Sequence, residues 1–230
     1  MITKQLIVYL LACMGLLACS ASSVTIEGKD GINRQKEYYL YGCQAGSLIP
    51  IASALIDSNG CFRLNVPLPQ EGFYLLGTEQ GVMHPFYLKG NETIRLRFQT
   101  NGMILEGEQT PENQALSQWE QAATLVREHA FLYERFGGGY STDPATFTQE
   151  LEDLLRVRQQ LKPEKATGNA TFNSLLKAKM EADVDFYALA YLQRNAGNLS
   201  DTIRLSNYYQ KMQPEKTLQQ PALLQLPYAG

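Results

Sequence analysis

The feature that most constrains this chain is a change of hydrophobic period at Thr110-Pro111. Before it, apolar residues recur at every second position; after it, they recur every three or four. Phe62-Arg63-Leu64-Asn65-Val66 and Ile94-Arg95-Leu96-Arg97-Phe98-Gln99 alternate cleanly, as a strand with one buried face requires. Further strands are expected over Val24–Glu27, Tyr38–Cys43, Ile49–Ile56, Phe73–Gly77, Pro85–Leu88 and Met103–Leu105. Turn residues separate them, among them Gly46, Gly72 and Asp57-Ser58-Asn59-Gly60. Asn59-Gly60 reads as a hairpin signal, because both residues tolerate positive φ. Short strands at this spacing predict an antiparallel β-sandwich or open barrel over 24–107.

Downstream, Thr110 reads as an N-cap with Pro111 in the first turn, and Leu116, Trp119, Ala123, Val126, Ala130 and Tyr133 form a helical seam. Gly137-Gly138-Gly139 closes that helix. Asp143-Pro144 opens a second, with Phe147, Leu151, Leu154 and Leu161 inward and Glu152/Arg156 as a surface pair. A third spans about 170–196, with Phe172, Leu176, Met180, Val184, Tyr187 and Tyr191 on one side, and a fourth about 200–212. The expected class is therefore α+β, with an antiparallel helical region over 110–213. Pro214, Pro221 and Pro227 predict an extended tail over 214–230.

The N-terminus carries an address. Lys4 precedes an apolar run from Leu6 to Ala18, too short for a membrane span of roughly 20 residues. The run ends in Leu16-Leu17-Ala18-Cys19-Ser20, which resembles a bacterial lipobox. That likeness implies a signal peptide over 1–18, acylation of Cys19 and a lipidated tether over 19–23. Several acyl chains hold a protein on a bilayer where one would exchange. The expected setting is the cell envelope, on the outer membrane facing the periplasm. Lys and Arg total 20 against 23 acidic residues. The near balance supplies no basic face for nucleic acid, and no such partner is expected.

Residues able to carry chemistry are few. Cys43 and Cys61 are the thiols left beside the acylated one, and an oxidising compartment would permit them to pair. In a meander of 38–43, 49–56 and 61–66, however, they fall at opposite ends of the sheet, beyond the ~7 Å Cα limit. Buried structural thiols are the preferred reading, and a Cys43–Cys61 disulfide the lesser one. No Cys-x-x-Cys is present. His84 and His129 have no second ligand at metal-binding spacing, and His129 reads as a solvated helix residue. Gly137-Gly138-Gly139-Tyr140 lacks the Lys-Ser/Thr of a phosphate loop and reads as a helix connection. Glu150, Glu152 and Asp153 read as a solvated charge run. No catalytic residue, metal or cofactor is assigned. Asp201-Thr202-Ile203 resembles the short O-glycosylation sequon of Bacteroidota, with Thr202 as acceptor.

The segments Ile56-Asp57-Ser58-Asn59-Gly60-Cys61-Phe62-Arg63-Leu64, Gly72-Phe73-Tyr74-Leu75-Leu76 and Phe86-Tyr87-Leu88-Lys89-Gly90-Asn91-Glu92-Thr93-Ile94 carry a wider likeness, joined by Leu105-Glu106-Gly107 and Thr110-Pro111-Glu112-Asn113. Over residues 24–213 the chain resembles the N-terminal β-domain of unknown function, with its helical segment, in Bacteroidota lipoproteins of the thiol-disulfide oxidoreductase group. In that group a thioredoxin-like domain with Cys-x-x-Cys follows; here the chain ends at Tyr228-Ala229-Gly230. The resemblance implies an accessory module near envelope redox machinery and carries over no catalytic residue. A truncated relic of an oxidoreductase is one alternative. The other is a small-ligand or glycan-binding lipoprotein using exposed tyrosines among Tyr38, Tyr39 and Tyr41.

Overall fold

A computed structural model describes residues 22–31, 37–68, 70–79, 83–99, 102–131, 142–195, 208–209 and 212–226. It is α+β, with two mostly antiparallel four-stranded sheets followed by helices, and the sheets do not close into a barrel. The strands are β1 (Ser23–Asp30), β2 (Glu37–Gln44), β3 (Ser47–Leu55), β4 (Cys61–Pro67), β5 (Gly72–Gly77), β6 (His84–Leu88), β7 (Glu92–Gln99) and β8 (Gly102–Glu106). One sheet has the order β4-β1-β7-β8, the other β3-β2-β5-β6.

Alternation makes the sandwich. Val24, Ile26, Leu64, Val66, Ile94 and Leu96 from the first sheet meet Leu40, Leu76, Phe86 and Leu88 from the second in one core. Tyr38 also lies there, stacked between Phe62 at 4.4 Å and Phe98 at 4.6 Å. Its hydroxyl donates to the fully buried Asp30 at 2.8 Å. β5 is instead buried on both faces, because helices cover its outer side. Phe73 and Tyr87 belong to the helical core, which makes the molecule three layers deep.

The pairing departs from sequence expectation in two places. β1 pairs antiparallel with β4 but parallel with β7, so the first sheet is not purely antiparallel. Nor do β2, β3 and β4 form a meander. After the β2–β3 hairpin the chain turns through Asp57–Gly60 and crosses to the other sheet. Asp57 Oδ1 accepts from Asn59 N and Cys61 N, both at 2.8 Å, and Gly60 has φ +78°. Asn59-Gly60 is thus a corner between sheets. Ala45-Gly46 instead makes a two-residue hairpin turn, with φ of 50° and 82°.

The helices are α1 (Pro111–Ala130), α2 (Pro144–Leu161), α3 (Ala170–Asn195) and the short α4 (Pro214–Leu218). Thr110 and Asp143 cap α1 and α2 as their sequences predict. The inward seams are buried at Leu116, Trp119, Ala123, Val126, Ala130, Phe147, Leu151, Leu154 and the six α3 positions. Phe131 lies beside Phe186 and Tyr187, while Glu120 lies beside Lys179, so α1 and α3 run in the same sense. Phe147, early in α2, stacks on Tyr191, late in α3, so α2 runs against them.

Of the expected extended tail, residues 214–226 do not run extended, and Pro227 lies outside the described residues. The described stretch forms α4 and a 3-10 turn over Pro221–Gln225, and Leu223 and Leu226 enter the helical core. Proline at N1 starts a helix as readily as it ends one. The glycine run 137–139, Tyr133 and the expected fourth helix, apart from Tyr208, Tyr209 and Met212, lie outside the described residues.

Candidate functional site

Three places gather side chains that could act on something outside the fold. The most buried lies between α1 and α3. Lys179 Nζ reaches Glu120 Oε1 at 2.8 Å and Asp183 Oδ2 at 2.9 Å. Trp119 Nε1 donates to Asp183 Oδ2 at 2.7 Å, and Arg127 Nη1 to Glu120 Oε2 at 2.8 Å. Two cations meet two carboxylates, and Lys179 and Asp183 are almost wholly shielded from water. Burial alone would push Glu120 up, but Lys179 and Arg127 hold it below the usual carboxylate range. Burial pushes the neighbouring Tyr187 phenol well above its ordinary value. Since Lys179 is committed to two carboxylates, its amine is no free nucleophile, and the cluster acts as a clamp between helices.

A second place is a groove of about 660 Å³ where α2, α3 and the C-terminal turns meet. Asp185 anchors its floor, accepting from Tyr208 Oη and Thr217 Oγ1, each at 2.6 Å. Gln220 Nε2 donates to Glu181 at 2.9 Å. Glu152, Arg158 and Lys216 complete the polar rim. Burial, then the bond to Asp185, pushes the Tyr208 phenol far above its ordinary value.

The third is strand β3. Leu48, Ile49 and Ile51 are 37–40% exposed and Leu55 is 71% exposed, on an outer strand with no charged residue. A register shift beside Leu40/Tyr41 leaves Ile51 unpaired next to Pro50. A bulge and a proline are the usual devices that stop an edge strand recruiting another strand.

Cys19 and Thr202 lie outside the described residues. Cys43 and Cys61 are unbonded and half-buried, on strands of different sheets; the meander used to separate them does not exist. Cys43 Sγ lies 3.0 Å from Leu226 O and 3.4 Å from Leu224 O, and Gly46 N donates to Leu224 O at 3.0 Å. Together they clip the C-terminal turn to the β2–β3 hairpin. Burial raises the Cys43 thiol above its ordinary pKa.

His129 is not a free surface residue, because its Nδ1 lies 2.7 Å from Glu150 Oε2 on α2. Glu150 therefore faces α1 rather than solvent. Arg156 pairs with Asp153, not with the expected Glu152. Tyr38 is buried, while the Tyr39 hydroxyl donates to Glu37 at 2.7 Å. That bond is the main cause pushing Tyr39 up to about 12. Among the described residues, no group of three His, Cys, Asp or Glu is placed to hold a metal ion. Nor is any described helix long and apolar enough to cross a membrane.

The buried clamp escaped sequence reading, yet it left a signal. Lys179 and Asp183 sit four apart on the α3 stripe that also carries Leu176, Met180 and Val184. Charges on an apolar face at that spacing must be paired or costly. Comparison with known proteins adds no relative, since no family model and no curated protein matches the chain.

Proposed function

We propose that this protein is a non-enzymatic envelope lipoprotein, held on a bilayer through acylated Cys19, that serves as a docking module beside thiol-redox machinery. The observation that carries the reading is the outer face of β3. Ile51 and Leu55 stand exposed there on either side of Ser53, while Ala52 and Ala54 turn to the sandwich core. Large apolar side chains exposed together on one strand face mark a protein contact. The edge of the same strand is guarded by Pro50 and the Ile51 bulge, so the contact is face-on, by side chains. The lipobox-like Leu16-Leu17-Ala18-Cys19 supplies the compartment, and the likeness to oxidoreductase N-terminal domains supplies the setting.

The test is direct. Ile51→Glu with Leu55→Glu should abolish co-purification with thioredoxin-fold proteins of the envelope while leaving the unfolding midpoint unchanged. Clear thiol-disulfide turnover by the purified mature chain would overturn the reading. A second reading, as a binder of a small hydroxylated ligand, is favoured by the groove beside Asp185, whose carboxylate, amide and phenol groups suit hydroxyl-rich molecules. An oligosaccharide that binds the intact chain, and no longer binds Tyr208→Ala, would establish it.

A further inference from the structure

The point at which β1 begins limits which end of the molecule an N-terminal anchor could bring to a membrane. Ser22 is the first described residue and it is already clamped. Its carbonyl accepts from Leu68 N at 2.7 Å, and its hydroxyl lies 3.4 Å from Leu68 O. Ser23 O accepts from Asn91 N at 2.6 Å. Gly90 is packed so closely that a Cβ there would fall 2.5 Å from Ser22 Cβ. β1 therefore begins rigidly at the end of the sandwich formed by the β4–β5 link and the β6–β7 turn.

Three residue steps separate Cys19 from Ser22, and even a fully extended chain spans at most about 11 Å over that distance. The polar headgroup layer on each side of a bilayer is roughly 5–8 Å thick. A Cys19 whose acyl chains lie in the hydrocarbon thus leaves Ser22 only a few ångströms of freedom above the headgroups. We infer that the end carrying Gln70, Glu71, Lys89 and Asn91 rests against the lipid headgroups, with the Asp57–Gly60 corner directed away. This rests on the acylation of Cys19 and adds an orientation to it.

Two further observations agree. The β2–β5 register pairs Gly42 with Tyr74; continued by two residues, it brings Gln44 level with Gly72, so the Ala45-Gly46 turn lies at the same end. Leu224, bound there through its carbonyl, adds an apolar side chain that is 53% exposed. The exposed polar side chains at this end are of mixed sign, Glu71 and Lys89 among them. A neutral, hydrogen-bonding headgroup layer suits that surface better than a strongly anionic one. At the opposite end, Asp30 N donates to Gly60 O at 2.7 Å. The eight residues of β1 separate the two ends by about 24 Å.

The experiment uses the full acylated chain in phosphatidylcholine vesicles carrying a headgroup nitroxide. Cys43→Ser and Cys61→Ser clear the background, and a fluorophore is placed at Gln70→Cys or at Ser58→Cys. Quenching at position 70 should exceed that at 58 by at least threefold. A twelve-residue Gly-Ser insertion between Ala21 and Ser22 should bring the ratio towards one. Equal quenching at both positions in protein whose mass shows acylation, or a ratio indifferent to the insertion, overturns the orientation alone. A mass without fatty acid overturns the anchor and the orientation with it.

Discussion

Two residues show how little room the sandwich leaves. Gly28 sits opposite Phe62 in the β1–β4 register, and a Cβ there would lie 2.1 Å from the Phe62 ring. Phe62 cannot retreat, because Tyr38 stacks on its other side. Gly28→Ala should therefore destabilise the fold by about 1–3 kcal/mol, the usual cost of overpacking, measured as a lower urea midpoint at unchanged slope. The opposite gain is available at Ala45, which holds φ +50° in the hairpin turn without the side chain that favours it. Ala45→Asn creates Asn-Gly, the preferred pair for this turn, and should raise stability by roughly 0.5–1 kcal/mol. Neither position stands out in the sequence. Gly28 interrupts a clean alternation, and the more conspicuous Asn59-Gly60 lies at a corner.

At the scale of elements, the joint between α1 and the second sheet depends on one amide. Asn113 Nδ2 donates to Tyr87 O and its Oδ1 accepts from Tyr87 N, both at 2.9 Å. The side chain stands in for a neighbouring strand on the outer edge of β6. Lys89 and Glu112 add an ion pair at 3.0 Å alongside. Asn113→Ala leaves a buried N–H and C=O without partners and should cost about 2–4 kcal/mol by chemical denaturation. The α1–α3 clamp makes a harsher demand. Lys179→Met strands Glu120 and Asp183 without their shared cation, and an unfolding loss of about 3–5 kcal/mol is expected.

What the sequence disclosed follows the same division. Strand alternation, N-caps and helix seams depend on near neighbours, so all eight strands and α1 to α3 were legible. Partition of strands between sheets depends on distant pairing, and a turn signal cannot tell a hairpin from a corner. The prolines at 214 and 221 looked like interruptions but start helical turns. Of the candidate surfaces, the apolar run of β3 was visible in the letters. Its exposure was not, since that depends on which layer stacks above it.

For the whole molecule, acid should loosen the structure in a definite window. His84 lies half-buried at the start of β6, and burial, then the nearby Arg127, lower its pKa. The unfolded chain then holds the proton more readily than the native one, so this contribution is complete above the unfolded value near 6.5 and declines below it. Thermal unfolding followed from pH 7.5 to 5.5 should show a falling midpoint, and His84→Gln should reduce that slope. Glu120 acts lower on the scale. Its depressed pKa stabilises the fold above the ordinary carboxylate range, and that part is lost as pH falls through the folded value.

The central position of β1 sets the order in which the molecule can assemble. Val24 finds its neighbours at Val66 and Glu92, so the first strand to be synthesised waits for partners from distant parts of the chain. Until β7 is made, β1 lacks one of its two neighbouring strands, and closing such distant contacts is slow. A chain tethered at its front end, as proposed above, would spend that interval unfolded beside the surface that holds it.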